Sequence, residues 1–354
     1  MSKEHIRVGI SIGDFNGIGV EVALKAISNP ALYNFCTPIL YGSPKVISYY
    51  KKQLGLHDLS LHYCKSATEA HDKKANLVVC WEEETEITPG TPSAMAGDYA
   101  FKALERAAAD AEAGHLQVLV TAPLDKSTVN TDARPFKGHT EYLASVSGTS
   151  HLMTLVSDDL RVALVTGHVP VSEVAPLIKQ DRVYAKIVEF AASLKKDFGI
   201  SKPRIAVLGL NPHAGDSGLL GSEDKKEILA AVEQAREENY MSFGPYPADG
   251  FFGSGQYHQF DGVLAMYHDQ GLIPFKMLGF EDGVNFTASL NFVRTSPDHG
   301  TAYNIAGKGE ASEMSLRNAI YLGIDIYKRR HMDSQLEETL AFTPLKRERF
   351  RMDF

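Results

Sequence analysis

Cysteine is scarce in this chain: Cys36, Cys64 and Cys80 are the only three among 354 residues. An odd number with no Cys-x-x-Cys pair excludes a disulfide framework and a cysteine-built zinc site, so the three read as small buried thiols in a reducing cytoplasm. Long apolar runs are missing too. No stretch approaches the roughly 18 consecutive apolar residues of a membrane helix, and Met1-Ser2-Lys3-Glu4-His5 leads into a strand-like run without the apolar segment and cleavage site of a signal peptide. Positive charge is in deficit, with 36 Lys and Arg against 44 Asp and Glu for a net charge of -8. That excludes the basic surface expected of a nucleic-acid binder. An anionic ligand would have to find its positive charge locally.

What is present is a soluble composition, 44% hydrophobic and 23% charged, in a chain long enough for two domains. Strand-like runs at 6–12, 37–42, 75–80 and 117–121 alternate with helical stretches from 20 to about 28, 45–54 and 94–113. Such alternation predicts a mainly parallel, doubly wound α/β sheet with helices on both faces. Gly13-Asp14-Phe15-Asn16-Gly17-Ile18-Gly19 follows the first strand and invites a dinucleotide-loop reading, but Val22 stands where a third glycine is needed. Thr121 to Lys126 breaks the rhythm and is a candidate domain crossover. Gly138-His139-Thr140-Glu141 precedes a helix, with Thr140 or a neighbour as its cap and exposed N–H groups available to an anion. The basic run Pro344 to Arg351 reads as a solvated tail.

Three further runs share one grammar: an apolar strand that delivers a histidine at its end. They are Val162 to His168, Ile205 to His213 and Gly262 to His268. Spacings of 45 (213 minus 168) and 55 (268 minus 213) residues are far from local zinc-finger spacing. Parallel strands nevertheless bring their final residues to one sheet edge, where ligands of open α/β sheets bind. Three imidazoles there would hold a divalent cation and leave positions open; ordinary hydrogen-bonded histidines are the alternative. Asp249 and Asp269 would orient a ligating imidazole or else serve as turn residues. Lys276 and Arg294 are flanked by apolar segments, which suits either a carboxylate or phosphate ligand or an internal salt bridge.

Six motifs then occur in one order: Gly13-Asp14 to Glu21, Gly138-His139-Thr140-Glu141, Thr166-Gly167-His168, Leu210 to Gly215, Tyr267 to Gly271, and Arg294-Thr295-Ser296-Pro297-Asp298-His299-Gly300-Thr301-Ala302. Together they resemble the PdxA family of 4-hydroxythreonine-4-phosphate dehydrogenases over about residues 6 to 330. The segment His299 to Gly309 also resembles the adenosine-binding loop of isocitrate and isopropylmalate dehydrogenases. The resemblance implies a two-domain, three-layer αβα fold of that type, with mostly parallel sheets. One domain would be discontinuous, 1–126 plus 273–354, and the other, 127–272, would carry metal, substrate and dimer contacts.

For individual residues the resemblance implies His168, His213 and His268 as metal ligands at sites shared between two subunits. His139, Thr140, Lys276, Asn285 and Arg294 match substrate contacts; Lys276, His139 and Asp249 are the catalytic candidates. His299, Gly300, Thr301, Ala302 and Asn304 would hold NAD or NADP. The metal is zinc first, with cobalt, magnesium or manganese also workable. The implied reaction is oxidation and decarboxylation of 4-phosphooxy-L-threonine in a cytoplasmic homodimer.

Three departures from the family pattern stand out. Phe15 and Val20 replace prolines. Ser289-Leu290-Asn291 replaces Gly-Leu-Pro and would reshape the substrate pocket. Asn304 replaces an aspartate, which loosens the preference for NAD over NADP. A paralogue acting on threonate or erythronate 4-phosphate, a non-catalytic metabolite-binding protein and a metal-dependent hydrolase are the competing readings.

Overall fold

The computed structural model describes residues 5–279 and 282–341, so the basic run 344–351 lies outside the described residues. Twelve strands form one sheet. In chain order they are β1 (Ile6–Ser11), β2 (Cys36–Gly42), β3 (Leu61–Cys64), β4 (Ala75–Val79), β5 (Val118–Thr121), β6 (Leu152–Val156), β7 (Arg161–Leu164), β8 (Arg204–Leu208), β9 (Met241–Tyr246), β10 (Gly262–Ala265), β11 (Val284–Ala288) and β12 (Val293–Pro297). Their order across the sheet is β3-β4-β2-β1-β5-β12-β11-β6-β7-β10-β8-β9. Eight of the eleven pairings are parallel; those of β11 with β12 and β6, and of β6 with β7, are antiparallel.

The expected α/β architecture is therefore present, with an antiparallel seam at its centre. Strand polarity reverses across that seam, so β1, β5 and β12 point their carboxyl ends to one edge, and β7, β8 and β10 to the other. Strands β3, β6, β9, β11 and β12 are additions to the sequence reading. Their runs are short, and β11 and β12 carry Asn, Thr, Ser and Arg, which hides an apolar pattern.

Eleven α-helices accompany the sheet among the described residues: α1 (Gly19–Ile27), α2 (Pro44–Gln53), α3 (Ala94–Glu112), α4 (Lys126–Val129), α5 (His139–Ser147), α6 (Val171–Leu177), α7 (Gln180–Lys196), α8 (Ala230–Glu237), α9 (Ala248–Gly253), α10 (His268–Leu278) and α11 (Met314–Ala341). Helix α3 shows how composition makes contact geometry. Ser93 Oγ caps it by accepting from Ala96 N at 3.1 Å, and Ala96, Ala100, Ala103, Ala107 and Ala111 recur at helical spacing on its buried face. At Gly97 an added Cβ would lie 2.3 Å from the Thr128 carbonyl oxygen, so glycine is what lets the short α4 pack here. That packing matters because α4 begins with Lys126.

Local details differ from the sequence reading near the motifs. The strands stop at Leu164, Leu208 and Ala265, so His168 and His213 lie in connections and His268 opens α10 instead of ending a strand. The Asp269-Gln270-Gly271 turn is thus the first turn of a helix. The cap of α5 is not Thr140 but Gly138, at φ 155°, with no side-chain cap. A Cβ at Gly138 would meet Glu141 Oε2 at 2.9 Å and Lys126 Nζ at 3.3 Å. Among the described residues no helix is long and apolar enough to cross a membrane.

Candidate active site

A cleft of about 330 Å³ opens over the antiparallel seam. The strands supply Arg294 and Ser296 from β12, Asn285 from β11 and Thr121 from β5; α5 supplies His139, Thr140 and Glu141, and α10 supplies His268 and Lys276. His168, His299 and Gly300 reach it from connections. Every substrate contact implied by the resemblance therefore meets in one place. Lys126, Glu141, Thr121 and Ser296 also line it and were given no role from the sequence; Asp298, a chemistry-capable residue of the Arg294 motif, joins them.

Arg294 is the electrostatic centre. Only 2% of it is exposed, and its guanidinium donates to two hydroxyls, Thr287 Oγ1 at 2.9 Å and Thr121 Oγ1 at 2.7 Å. Among the described residues no carboxylate lies within ion-pair distance of it, so an internal salt bridge does not account for the buried charge. Burial, partly offset by Glu141, lowers its pKa to about 10. Buried charges are ordinarily paired. Among the described residues, four buried polar atoms of the cleft lack a partner: Arg294 Nε, His139 Nε2, Asn285 Oδ1 and His299 Nε2. A polar, anionic ligand would satisfy such a set.

His139 shares this setting. Burial, with Arg294 and Lys126 adding positive charge, holds its pKa well below the usual value, so the ring is neutral. Burial likewise lowers His299. Lys276 Nζ lies 3.5 Å from Asp298 Oδ2, and burial raises the Asp298 carboxyl against the opposing pull of Lys276.

The candidate metal residues separate into two groups. His168 and His268 face each other with ring centroids 5.2 Å apart; burial, Lys126 and His268 lower the pKa of His168. Asp269 Oδ1 lies 2.7 Å from His268 Nδ1, the contact of a carboxylate that leaves Nε2 free for a cation. Gln270 ties this turn to the sheet, accepting from Met266 N at 2.8 Å and donating to the Gly209 carbonyl at 2.6 Å. His213 does not join them. It is exposed, in a run from His213 to Ser217 whose five residues all have positive φ. Among the described residues no three His, Cys, Asp or Glu are grouped as a metal site. Asp249 is likewise exposed on α9, outside the cleft.

Of the five candidate cofactor residues, His299 and Gly300 line the cleft, whereas Thr301, Ala302 and Asn304 do not. The segment is anchored: Ile18 N donates to the Thr301 carbonyl at 2.9 Å, and a Cβ at Gly17 would lie 2.8 Å from that same oxygen. Gly17 thus serves close packing, in keeping with the failed fingerprint. Asn304 is exposed.

The Ser289-Leu290-Asn291 departure does not reshape the cleft. Ser289 Oγ donates to Glu189 Oε1 at 2.7 Å and Asn291 Nδ2 donates to Glu112 at 3.0 Å, and neither residue lines the site. Ser289 does occupy a left-handed position, φ 72°, where glycine is free of strain.

A family model described as pyridoxal phosphate biosynthetic protein PdxA matches residues 34–323. The chain belongs to the PdxA family. It is 48% identical over 350 residues to the 4-hydroxythreonine-4-phosphate dehydrogenase of Bacteroides thetaiotaomicron, covering 98% of this chain and 95% of that one. It is 38% identical to an Oceanobacillus iheyensis protein provisionally described as a D-threonate 4-phosphate dehydrogenase, over 92% of this chain and 99% of that one. The crystal structure of 4-hydroxythreonine-4-phosphate dehydrogenase from Klebsiella pneumoniae superposes with a TM-score of 0.78 at 34% identity, covering 92% of this chain and 99% of that one. PdxA membership bears out the resemblance carried by the six motifs, and with it the reading of the chain as an oxidoreductase of vitamin B6 synthesis.

Proposed function

We propose that this PdxA chain uses NAD or NADP to oxidise the secondary alcohol of 4-phosphooxy-L-threonine to a 3-oxo acid. That acid loses carbon dioxide and yields 3-amino-2-oxopropyl phosphate. The carrying observation is the cleft's buried Arg294, bonded to two hydroxyls and, among the described residues, to no carboxylate. Arg294, the α5 N-terminus at Gly138 and His139, and Thr140 would bind the phosphate, with Asn285 orienting the polar end of the substrate. Neutral His139 can hold a substrate hydroxyl without adding charge beside Arg294. Lys276 Nζ, steadied by Asp298, is placed to return a proton to carbon after carbon dioxide leaves.

His168 and His268 fit a divalent cation, zinc before cobalt, magnesium or manganese, with His213 supplied by a second copy of the chain. When bound, the cation would supply Lewis-acid polarisation of the substrate oxygen. The 299–304 segment would hold the nicotinamide cofactor, whose chemistry is hydride acceptance. Support for the second copy comes from exposed apolar residues around the histidines: Val171 is 83% exposed, Met277 82% and Leu219 80%. Asp249 would enter the site by the same route. The same reading divides the chain at about 126 and 272, with the cleft between the two parts.

D-threonate 4-phosphate, named for the Oceanobacillus relative, is the second reading, because the same phosphate site would accept it. Initial-rate measurement of NAD and NADP reduction decides between them. Turnover of D-threonate 4-phosphate, with none of 4-phosphooxy-L-threonine, would overturn the primary assignment.

A further inference from the structure

Tyr303 lies three residues beyond the cleft-lining Gly300, and its hydroxyl meets two carboxylates from distant parts of the chain. It donates to Asp14 Oδ2 at 2.8 Å and lies 3.3 Å from Asp125 Oδ2. Asp14 is fully buried just after β1. Its Oδ1 accepts from Asn16 N at 2.8 Å, and its own N–H donates to the Pro123 carbonyl at 3.0 Å. Asp125 caps α4: its Oδ1 accepts from Ser127 N at 2.9 Å and Ser127 Oγ at 2.7 Å. The first residue of that helix is Lys126, which lines the cleft. Among the described residues Lys126 has no carboxylate within ion-pair distance, so its charge is available to a ligand. One continuous set of contacts therefore runs from the 299–304 segment through Tyr303 and Asp125 to a cleft cation.

Two further facts make the hydroxyl more than a surface contact. Ala302, immediately before Tyr303, holds φ 42°, a left-handed conformation that a non-glycine residue keeps only where its surroundings enforce it. The phenol oxygen also stands between two carboxylates, 2.8 Å from Asp14 Oδ2 and 3.3 Å from Asp125 Oδ2, so its one proton ties both to the same side chain; burial raises the pKa of Asp14 against the opposing pull of that hydrogen bond.

We propose that Tyr303 is a positioning residue: it holds the 299–304 segment against Asp14 and, through Asp125, sets where Lys126 presents its charge to an anionic substrate. Binding on the two sides of the cleft is thereby coupled. The inference rests on the reading of this segment as the nicotinamide loop.

The test is calorimetric titration of NAD, NADP and inorganic phosphate into the wild type, Tyr303→Phe, Asp125→Asn and Lys126→Met, with thermal unfolding of each. Tyr303→Phe should weaken the preferred dinucleotide about fivefold, the worth of roughly one hydrogen bond, and phosphate by at least twofold. Lys126→Met should weaken phosphate about tenfold, as for loss of one charged contact, and leave the dinucleotide within about twofold. Asp125→Asn keeps an oxygen for the Ser127 cap and should reproduce the phosphate effect of Tyr303→Phe; it decides the matter if that variant does not fold. Dissociation constants unchanged in Tyr303→Phe, with or without a lower melting temperature, would overturn the coupling. A wild type that binds neither dinucleotide would instead remove the nicotinamide reading beneath it.

Discussion

Replacing Arg294 by Met should abolish anion binding while leaving the fold nearly as stable as before. The buried guanidinium is expensive: burial lowers its pKa from the ordinary arginine range to about 10, which corresponds to roughly 3 kcal/mol against the charged form. Met fills similar volume without that charge. The change orphans the hydroxyls of Thr121 and Thr287, both buried, at about 1 kcal/mol each. The balance is within about 1 kcal/mol of zero, so the melting temperature should move by no more than roughly 2–4 °C.

Binding tells the opposite story. Loss of a buried charge-assisted contact should cost about 3–4 kcal/mol in kcat/KM, a factor of roughly 100 to 1,000. The assay is thermal unfolding with and without inorganic phosphate, alongside initial rates. Phosphate at 100 times its Kd should stabilise the wild type by about 2.7 kcal/mol and leave the variant unmoved. If Arg294→Met loses more than about 3 kcal/mol without ligand, or still responds to phosphate, Arg294 is structural and the reasoning fails.

His139 supplies a pH test. Burial holds its folded pKa well below the ordinary histidine value, so as the pH falls the unfolded chain takes up the proton first; stability is full above about 6.5 and falls as the pH drops. Denaturant titrations at acid and neutral pH should show that slope reduced in His139→Asn, and an unchanged slope would count against the assignment. Sharing of the metal site predicts complementation: mixed, refolded His213→Ala and His268→Ala chains should regain about a quarter of wild-type activity, because half the dimers are mixed and each has one intact site. No recovery, despite mixed dimers seen by mass spectrometry, would show that His213 and His268 act within one chain. Lys276→Met should lower kcat more than it raises the substrate KM, since the proton return is a step made after binding. A rise in KM alone would make Lys276 a binding residue.

The cleft was legible because its residues carry an unusual chemical signature in local sequence. His139 and Thr140 follow a glycine that opens a helix, and Lys276 and Arg294 stand in apolar surroundings. The presence of β7, β8 and β10 was legible from their apolar runs, but their ends were not, since each run continues past the last strand residue. Lys126 and Tyr303 were not legible. Lys126 only closes the crossover stretch from Thr121, and Tyr303, though inside the His299 to Gly309 segment, acquires its role from carboxylates 289 and 178 positions away (303 minus 14, then 303 minus 125). Strands β11 and β12 were hidden by the polar residues that make the site.

The sequence by itself determined the α/β class, the family and the five substrate-contact candidates that meet in the cleft, because each follows from local periodicity or a linear motif. Tertiary structure alone decided that strand polarity reverses at β11 and β6, that Arg294 is bonded to hydroxyls and not to a carboxylate, and that His213 stands apart from His168 and His268. Each depends on which distant segments become neighbours. Burial removes water from Arg294, and only the fold reveals that two hydroxyls take its place.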